Sequence, residues 1–178
     1  MDPSAFKTCF ETSRAPLLAY LVRVSGNPDL AEEVLQEAYV RLLNASPRDL
    51  RPEALRGWLL TTATRLLRDH WRRHRCLQWW PWGPDEGDEA GPAEPASLEP
   101  PADLQAQERQ LVARGFSGLS PRQRSLLWLA YVEGLDHAEL ARALGLRQGS
   151  VKVLLHRARQ RMQGILVALE SPFMGGGA

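Results

Sequence analysis

A stretch rich in Pro, Gly and acidic residues interrupts this 178-residue chain near its middle. From Trp79 to about Pro101, the composition cannot bury enough apolar surface to offset the entropy lost on ordering. On both sides of the stretch, apolar residues recur every three or four positions, which is the helical period. We therefore predict an all-α fold with two small helical domains and a flexible linker between them. The predicted boundaries are 1–76 and 108–170 for the domains, 77–107 for the linker and 171–178 for a disordered tail.

The charges follow the same division. Residues 1–76 carry 12 Lys and Arg against 9 Asp and Glu, and residues 108–178 carry 10 against 5. The segment 77–107 has 7 acidic residues and no basic ones. Two basic modules flanking an acidic segment suit a protein that meets phosphate backbones twice. Solvated helix faces beside a linker are the plainer explanation of the same pattern.

The first module is predicted to contain about three helices, because its apolar residues keep the helical period from Ala5 to Arg75. Gly26, Asn27 and Pro28 break the first two helices apart, and Asp29 is expected to cap the second. A second irregular loop is expected from Pro47 to Pro52. The apolar positions that define the helices are Leu17, Tyr20, Leu21, Val24, Leu30, Val34, Leu35, Ala38, Leu42, Leu55, Trp58, Leu59, Thr62 and Leu66.

In the second module, a helix is predicted from Leu104 to Phe116, and Ser120 and Pro121 are expected to start another, since Pro is tolerated in a first helical turn. The most specific pattern follows, from His137 to Leu155. Here Leu140, Ala141 and Leu144 would line one helix, Gly145 would make a turn and Leu146 would fill the interface. Val151, Leu154 and Leu155 would then face inward from a second helix. A small residue and a glycine at these spacings favour a helix-turn-helix, with an ordinary helical hairpin as the alternative.

If Gly149–Met162 is the recognition helix, burial of Val151, Leu155, Ala158 and Met162 turns another face outward. Its first turns are the ones that reach base edges in the major groove. The predicted groove-facing residues are Ser150, Lys152, Val153, His156 and Arg157. Arg159 and Arg161 lie further along and are expected to contact phosphates.

A second basic run lies at the end of the first module, where Arg65, Arg68, Arg72 and Arg75 share one helix face. A solvated surface is the simplest explanation of such a run, and its combination with a helix-turn-helix favours nucleic-acid binding. Trp71 within the run has two interpretations, stacking on an unpaired base or packing in a core or interface, and packing is the one we prefer.

No enzymatic function is predicted. Cys9 and Cys76 lack the spacing of a metal site or a disulfide framework, and the four histidines have no nucleophile or metal cluster near them in sequence. There is no phosphate-cradling GxxxxGK[ST] loop. We expect no cofactor and no metal. No apolar run approaches the ~18 residues of a membrane span, and the amino terminus is unlike a signal peptide, so we expect a cytoplasmic protein without membrane insertion.

The whole layout resembles the extracytoplasmic-function (ECF) sigma factors, the smallest members of the main sigma family of bacterial RNA polymerase. The resemblance covers nearly all of residues 5–167. DLAEEVLQEAYVRLL at 29–43 looks like the family's second-region helix that docks on polymerase. ALRGWLLTTATRLLRDHWRRHR looks like the helix that opens the promoter and recognises the −10 element. Residues 119–162 look like the fourth region, which recognises the −35 element.

The resemblance implies the following roles by position. The polymerase-facing residues would be Asp29, Glu32, Glu33, Gln36 and Glu37, with Val34, Leu35 and Ala38 in the core. The −10 and melting residues would be Pro47, Arg48, Asp49, Leu50, Arg51, Arg65, Arg68, Asp69, Arg72 and Arg73. The implied partners are core RNA polymerase, promoter DNA as duplex and as melted single strand, and an anti-sigma factor.

Departures from the family pattern leave the −10 preference open. The family often has Asn where this chain has Arg65, and the loop at 47–53 is less rich in Asp, Ser and Phe than is common. The sequence assigns no role to Trp79, Trp80 and Trp82. Two rival functions stay open: a conventional helix-turn-helix regulator that binds duplex DNA without polymerase, and a sigma-like decoy that binds an anti-sigma factor. The promoters and the activating signal are not encoded in any recognisable pattern.

Overall fold

The computed structural model describes residues 3–45, 52–73 and 104–170, and these form seven helices and no strand. Outside the described residues lie the predicted −10 and melting residues Pro47–Arg51, Cys76, the three linker tryptophans and the tail. The helices are α1 Pro3–Ser25, α2 Pro28–Ala45, α3 Pro52–Arg73, α4 Leu104–Ser117, α5 Pro121–Tyr131, α6 His137–Leu144 and α7 Gln148–Glu170. The all-α prediction is confirmed.

Helices α1, α2 and α3 pack against one another and form the first module. The periodic apolar positions supply its core, since Tyr20, Leu21, Val24, Ala38 and Leu42 are fully buried. The break between α1 and α2 lies where it was predicted, at Gly26, which has φ 68° and ends α1.

The cap of α2 differs from the prediction. Asn27, not Asp29, is the capping residue, because its Oδ1 accepts hydrogen bonds from the backbone N–H groups of Asp29 and Leu30 at 3.0 and 3.2 Å. Pro28 takes the first helical position, where its missing N–H is harmless. Asp29 therefore lies inside the first turn, where its negative charge still favours the helix amino terminus.

Helices α4 to α7 form the second module. Helix α4 begins at Leu104, as predicted. Ser120 caps α5 through a capping box with Gln123, with Pro121 in the first turn, which confirms the start predicted for this helix. Asp136 caps α6 in the same way with Glu139. These local signals explain why each helix begins where it does.

The two modules are packed on each other in one closed arrangement. Helix α1 lies against α5, and α3 lies against α6. The buried apolar residues of both modules belong to a single contiguous cluster. Tyr20 from α1 reaches across to Trp128 of α5, with ring centroids 6.3 Å apart. Trp128 also meets Phe116 of α4 at 6.1 Å, so this tryptophan joins three helices.

Candidate nucleic-acid interface

Helices α6 and α7 have the geometry predicted for a helix-turn-helix. Leu140, Ala141 and Leu144 are buried on α6, and Val151, Leu154 and Leu155 are buried on α7, as predicted from their spacing. Gly145 between the helices has φ 64°, the left-handed conformation that side chains resist. Its N–H and that of Leu146 both donate hydrogen bonds to the carbonyl of Ala141, which satisfies a carbonyl at the end of α6.

The outward face of α7 is basic and open. Ser150 is half-buried at the start of this face, and the other six predicted contact residues are exposed. They are Lys152, Val153, His156, Arg157, Arg159 and Arg161. Val153 is half exposed although it is apolar, which suits contact with a thymine methyl in a major groove. The face combines cationic donors with one apolar side chain, and such groups can contact phosphates and base edges.

The basic face of α3 is in a different situation. Arg72 and Arg73 are exposed, and Arg72 lies 3.6 Å from Asp69 one turn earlier. Arg65 and Arg68 point at the second module instead. Nη2 of Arg65 donates to the carbonyl of Arg142, and Nη1 of Arg68 donates to the carbonyl of Leu144, both at 3.2 Å. The predicted −10 residues are thus divided between solvent and the last turn of α6.

The third predicted surface, on α2, is exposed and mainly acidic. Its five residues, Asp29, Glu32, Glu33, Gln36 and Glu37, all face solvent. Val34, Leu35 and Ala38 are buried behind them, as predicted. The neighbouring Val40 and Leu43 are apolar yet nearly half exposed. An acidic surface with apolar side chains is suited to contact a protein rather than DNA, whose phosphates it would repel.

Sequence reasoning missed three residues that connect the modules, namely Arg56, Arg124 and Glu133. The guanidinium of Arg124, only 5% exposed, donates from Nε to the carbonyl of Leu119 and from Nη2 to that of Ser117, both at 2.9 Å. Its Nη1 reaches the end of α1, at the carbonyls of Val24 and Arg23, 3.3 and 3.4 Å away. Burial lowers the pKa of Arg124 below its usual value. Four carbonyl acceptors nonetheless suit a charged guanidinium.

Glu133 makes the other missed connection. Its side chain is 2% exposed, and its carboxylate binds Nη2 of Arg56 on α3 at 2.5 Å while accepting from Nε1 of Trp128 at 3.2 Å. No local pattern could have revealed these pairs, because Arg56 and Glu133 lie 77 positions apart. A buried arginine or glutamate is also unusual enough that sequence favours a solvent position for it.

Tyr20 is a further polar group at the junction. The hydroxyl of Thr64 donates to the carbonyl of Leu60, so the hydroxyl of Tyr20, 2.9 Å away, donates to Thr64. Full burial raises the pKa of Tyr20 to about 12. The phenol therefore stays neutral at physiological pH.

Among the described residues, no cluster of His, Cys, Asp or Glu is suited to hold a metal ion. None of the helices described is long and apolar enough to cross a bilayer. What the geometry offers is a set of charged helix faces on α2, α3 and α7.

Comparison with known proteins identifies two matched regions. Residues 9–76 match the family model described as Sigma-70 region 2, and residues 109–162 match the one described as Sigma-70 region 4. The two matches cover most of each module, and they lie in the same order as the blocks quoted above.

Curated relatives cover most of this chain. It is 32% identical over 156 residues to "ECF RNA polymerase sigma factor SigE" of Mycolicibacterium smegmatis, covering 84% of the chain and 56% of that protein. It is 31% identical over 163 residues to "Probable ECF RNA polymerase sigma factor SigI" of Mycobacterium tuberculosis, covering 87% of the chain and 53% of the relative. The chain therefore spans about half the length of these relatives. A match to "RNA polymerase sigma factor CarQ" of Myxococcus xanthus is 26% identical and covers 93% of the chain and 91% of the relative.

Among solved structures, the sigma factor RpoE of Bartonella quintana, solved in complex with the anti-sigma factor NepR, shares the fold. The TM-score is 0.63 at 24% sequence identity, and the match covers 94% of this chain and 99% of the RpoE chain. At this identity the likeness concerns the helical architecture alone.

Proposed function

This chain belongs to the sigma-70 family, with ECF sigma factors among its relatives, and we propose that it binds core RNA polymerase and directs it to promoters. The observation that carries the proposal is the exposed basic face of α7 over a buried helix-turn-helix core. In this proposal the face lies in the −35 major groove. Lys152, Val153, His156 and Arg157 contact base edges, and Arg159 and Arg161 contact phosphates.

The second region supplies the other contacts. The acidic face of α2 binds polymerase. Along the −10 DNA lie Arg65, Arg68, Arg72 and Arg73 of α3, with Asp69. Residues Pro47–Arg51 take a base from the melted strand, whose unstacking takes a few kcal/mol that the protein contacts offset. Promoter opening then draws on binding free energy, with no covalent chemistry by this chain. We place the protein in the bacterial cytoplasm, where its partners polymerase and DNA lie.

An anti-sigma factor is proposed as a further partner. The support is the fold shared with RpoE, whose solved form is a complex with NepR. A chain built of two modules offers such an inhibitor surfaces on both, and an inhibitor that stabilises one arrangement of the modules shifts the population away from the other.

The test is run-off transcription with core polymerase on genomic fragments, with start sites mapped. We expect transcripts that share −35 and −10 elements. The double variant Lys152→Ala/Arg157→Ala should weaken promoter binding by roughly 1–3 kcal/mol per lost base contact. Arg109→Ala is the control, because Arg109 is an exposed arginine of α4 and is not one of the proposed DNA contacts.

Two outcomes would contradict the proposal. Tight duplex binding by the chain alone, without promoter-specific transcripts, would favour a conventional regulator. Binding to an anti-sigma protein, without either transcription or DNA binding, would favour a decoy. If the double variant keeps its −35 dependence, the placement of α7 is wrong although the broader function stands.

A further inference from the structure

The exposed face of α7 is basic, but the line of residues at its centre begins with two uncharged ones. Gly149 and Val153 are four positions apart, so they are neighbours on the helix surface. Both are exposed, and both lie on the side opposite Val151 and Leu155, which are buried. When a helix lies in a major groove, the residues farthest from its own core come closest to the base edges. Gly149 and Val153 occupy that position.

Gly149 leaves open space at the start of this line. Unlike Gly145, it does not have a left-handed φ, so the backbone does not require glycine there. A Cβ atom on Gly149 would meet no group of the described residues within 4 Å, so packing does not require glycine either. Glycine is a poorer helix former than alanine. Close approach of the backbone to a ligand is a physical reason for its use at such a position.

Val153 places an apolar side chain beside that space. It is 50% exposed, and its neighbours on either side of the face are the exposed cations Lys152 and Arg157. Lysine and arginine donate hydrogen bonds to phosphates and to guanine, whereas valine offers none. The apolar group that a major groove presents is the C5-methyl group of thymine. The cations therefore attract DNA to a place whose chemistry suits a methyl group.

We propose that Gly149 and Val153 form a methyl site, which recognises the C5-methyl group of one thymine in the −35 element. The proposal rests on the proposed function, because it takes α7 to lie in that groove. Gly149 lets the base pair approach the helix backbone, and the side chain of Val153 packs against the methyl group. A T·A pair and an A·T pair carry this methyl group at different places in the groove. The chain therefore prefers one orientation of one T·A pair.

The first experiment removes the methyl group alone. The full chain selects duplexes from a pool in which about ten base pairs are randomised, a length that covers the reach of one recognition helix. The enriched duplex is then made with deoxyuridine in place of each thymidine in turn, which keeps the hydrogen-bonding groups of the base. Fluorescence anisotropy measures each affinity. At one position we expect binding to weaken about fourfold, which is what the burial of one methyl group supplies.

Variants connect that position to the methyl site. Val153→Ser removes the apolar contact, so the affinities for thymine and uracil should become equal. Val167→Ser is the matched control, because Val167 is 55% exposed on the same helix but lies beyond residues 109–162, which match region 4. This control should keep the discrimination of the wild type. Gly149→Ala should weaken binding of the enriched duplex several-fold, while its thermal unfolding temperature stays the same or rises, since alanine favours a helix.

Several results would overturn the inference. They are equal affinity for thymine and uracil at every position, discrimination that persists in Val153→Ser, and a Gly149→Ala chain that binds as tightly as the wild type. Run-off transcription with polymerase tests the proposed function separately. Promoter-specific transcripts from −35 elements without a fixed thymine would keep that function and overturn the methyl site. Methyl-dependent duplex binding without any transcripts would support the site and contradict the function.

Discussion

Helices α3 and α7 each carry an arginine-rich face, yet the structure treats the two faces differently. On α7 the basic side chains are exposed to solvent, on the side opposite the buried residues of the helix-turn-helix. On α3, Arg65 and Arg68 end on carbonyls of the other module. The difference shows that a basic stripe in the sequence of a helix predicts a charged surface, but does not predict which group contacts that surface.

The largest loss of stability is expected on substitution of Arg124. Like Arg65 and Arg68, it donates hydrogen bonds to carbonyls of the other module. In Arg124→Leu, the carbonyls of Ser117, Leu119, Arg23 and Val24 lose a charged donor. Two of these four hydrogen bonds are buried, so at 1–3 kcal/mol for each buried group left unsatisfied the free energy of unfolding should fall by roughly 2–6 kcal/mol. Urea denaturation followed by circular dichroism measures it. A loss below about 1 kcal/mol would mean that water replaces the guanidinium.

Alkaline pH should also destabilise the junction of the two modules, because Tyr20 is buried there. The pKa of Tyr20 is about 12 in the folded chain, against about 10 in the unfolded one. Its contribution to stability is therefore complete below pH 10 and is lost between about pH 10 and 12, amounting to roughly 2–3 kcal/mol. Urea denaturation at pH 8 and at pH 11.5 should show a steeper loss for the wild type than for Tyr20→Phe. Equal losses in both proteins would assign the alkaline sensitivity to other groups.

A pair of glycines measures the contact of α3 with the turn. Gly134 and Gly145 both have left-handed φ, 69° and 64°, but only Gly145 has Arg68 against it, while nothing lies within 4 Å of a Cβ on Gly134. Gly134→Ala should cost the conformational strain alone, about 1–2 kcal/mol. Gly145→Ala should cost about 1 kcal/mol more, since a charge-assisted hydrogen bond is also disturbed. Thermal unfolding of both variants gives the difference, and identical losses would show that Arg68 moves aside freely.

The smallest effect on stability is expected on the open face. His156→Ala and Arg157→Ala should change the free energy of unfolding by less than about 0.5 kcal/mol, because both side chains are exposed. The same substitutions should weaken duplex binding, which separates a recognition role from a structural one. A destabilisation of more than 1 kcal/mol would show that this face is part of the packing, like that of α3.

The sequence predicted most of what is local. The interior of the helix-turn-helix, from Leu140 to Leu155, followed from residue spacing, and the start of α5 followed from Ser120 and Pro121. The cap of α2 was misassigned by two residues, because Asn and Asp are both good caps and the intervening Pro28 decides between them. The position of this cap depends on neighbouring residues alone, so it could have been predicted from the sequence. The contacts Arg56–Glu133 and Arg65–Arg142 could not have been predicted, because nothing near any of these residues indicates its partner.

The basic character of α3 and α7 was determined by the sequence itself, since helical period and charge are properties of neighbouring residues. Whether each face is open or covered was decided only by the tertiary structure. Closure brings together groups about 77 positions apart in the chain, and such contacts depend on how the two finished modules fit. Every helix ends in carbonyls without intrahelical partners, so nothing in the sequence of α6 marks its end as the partner of two particular arginines. That contact exists only once the modules meet.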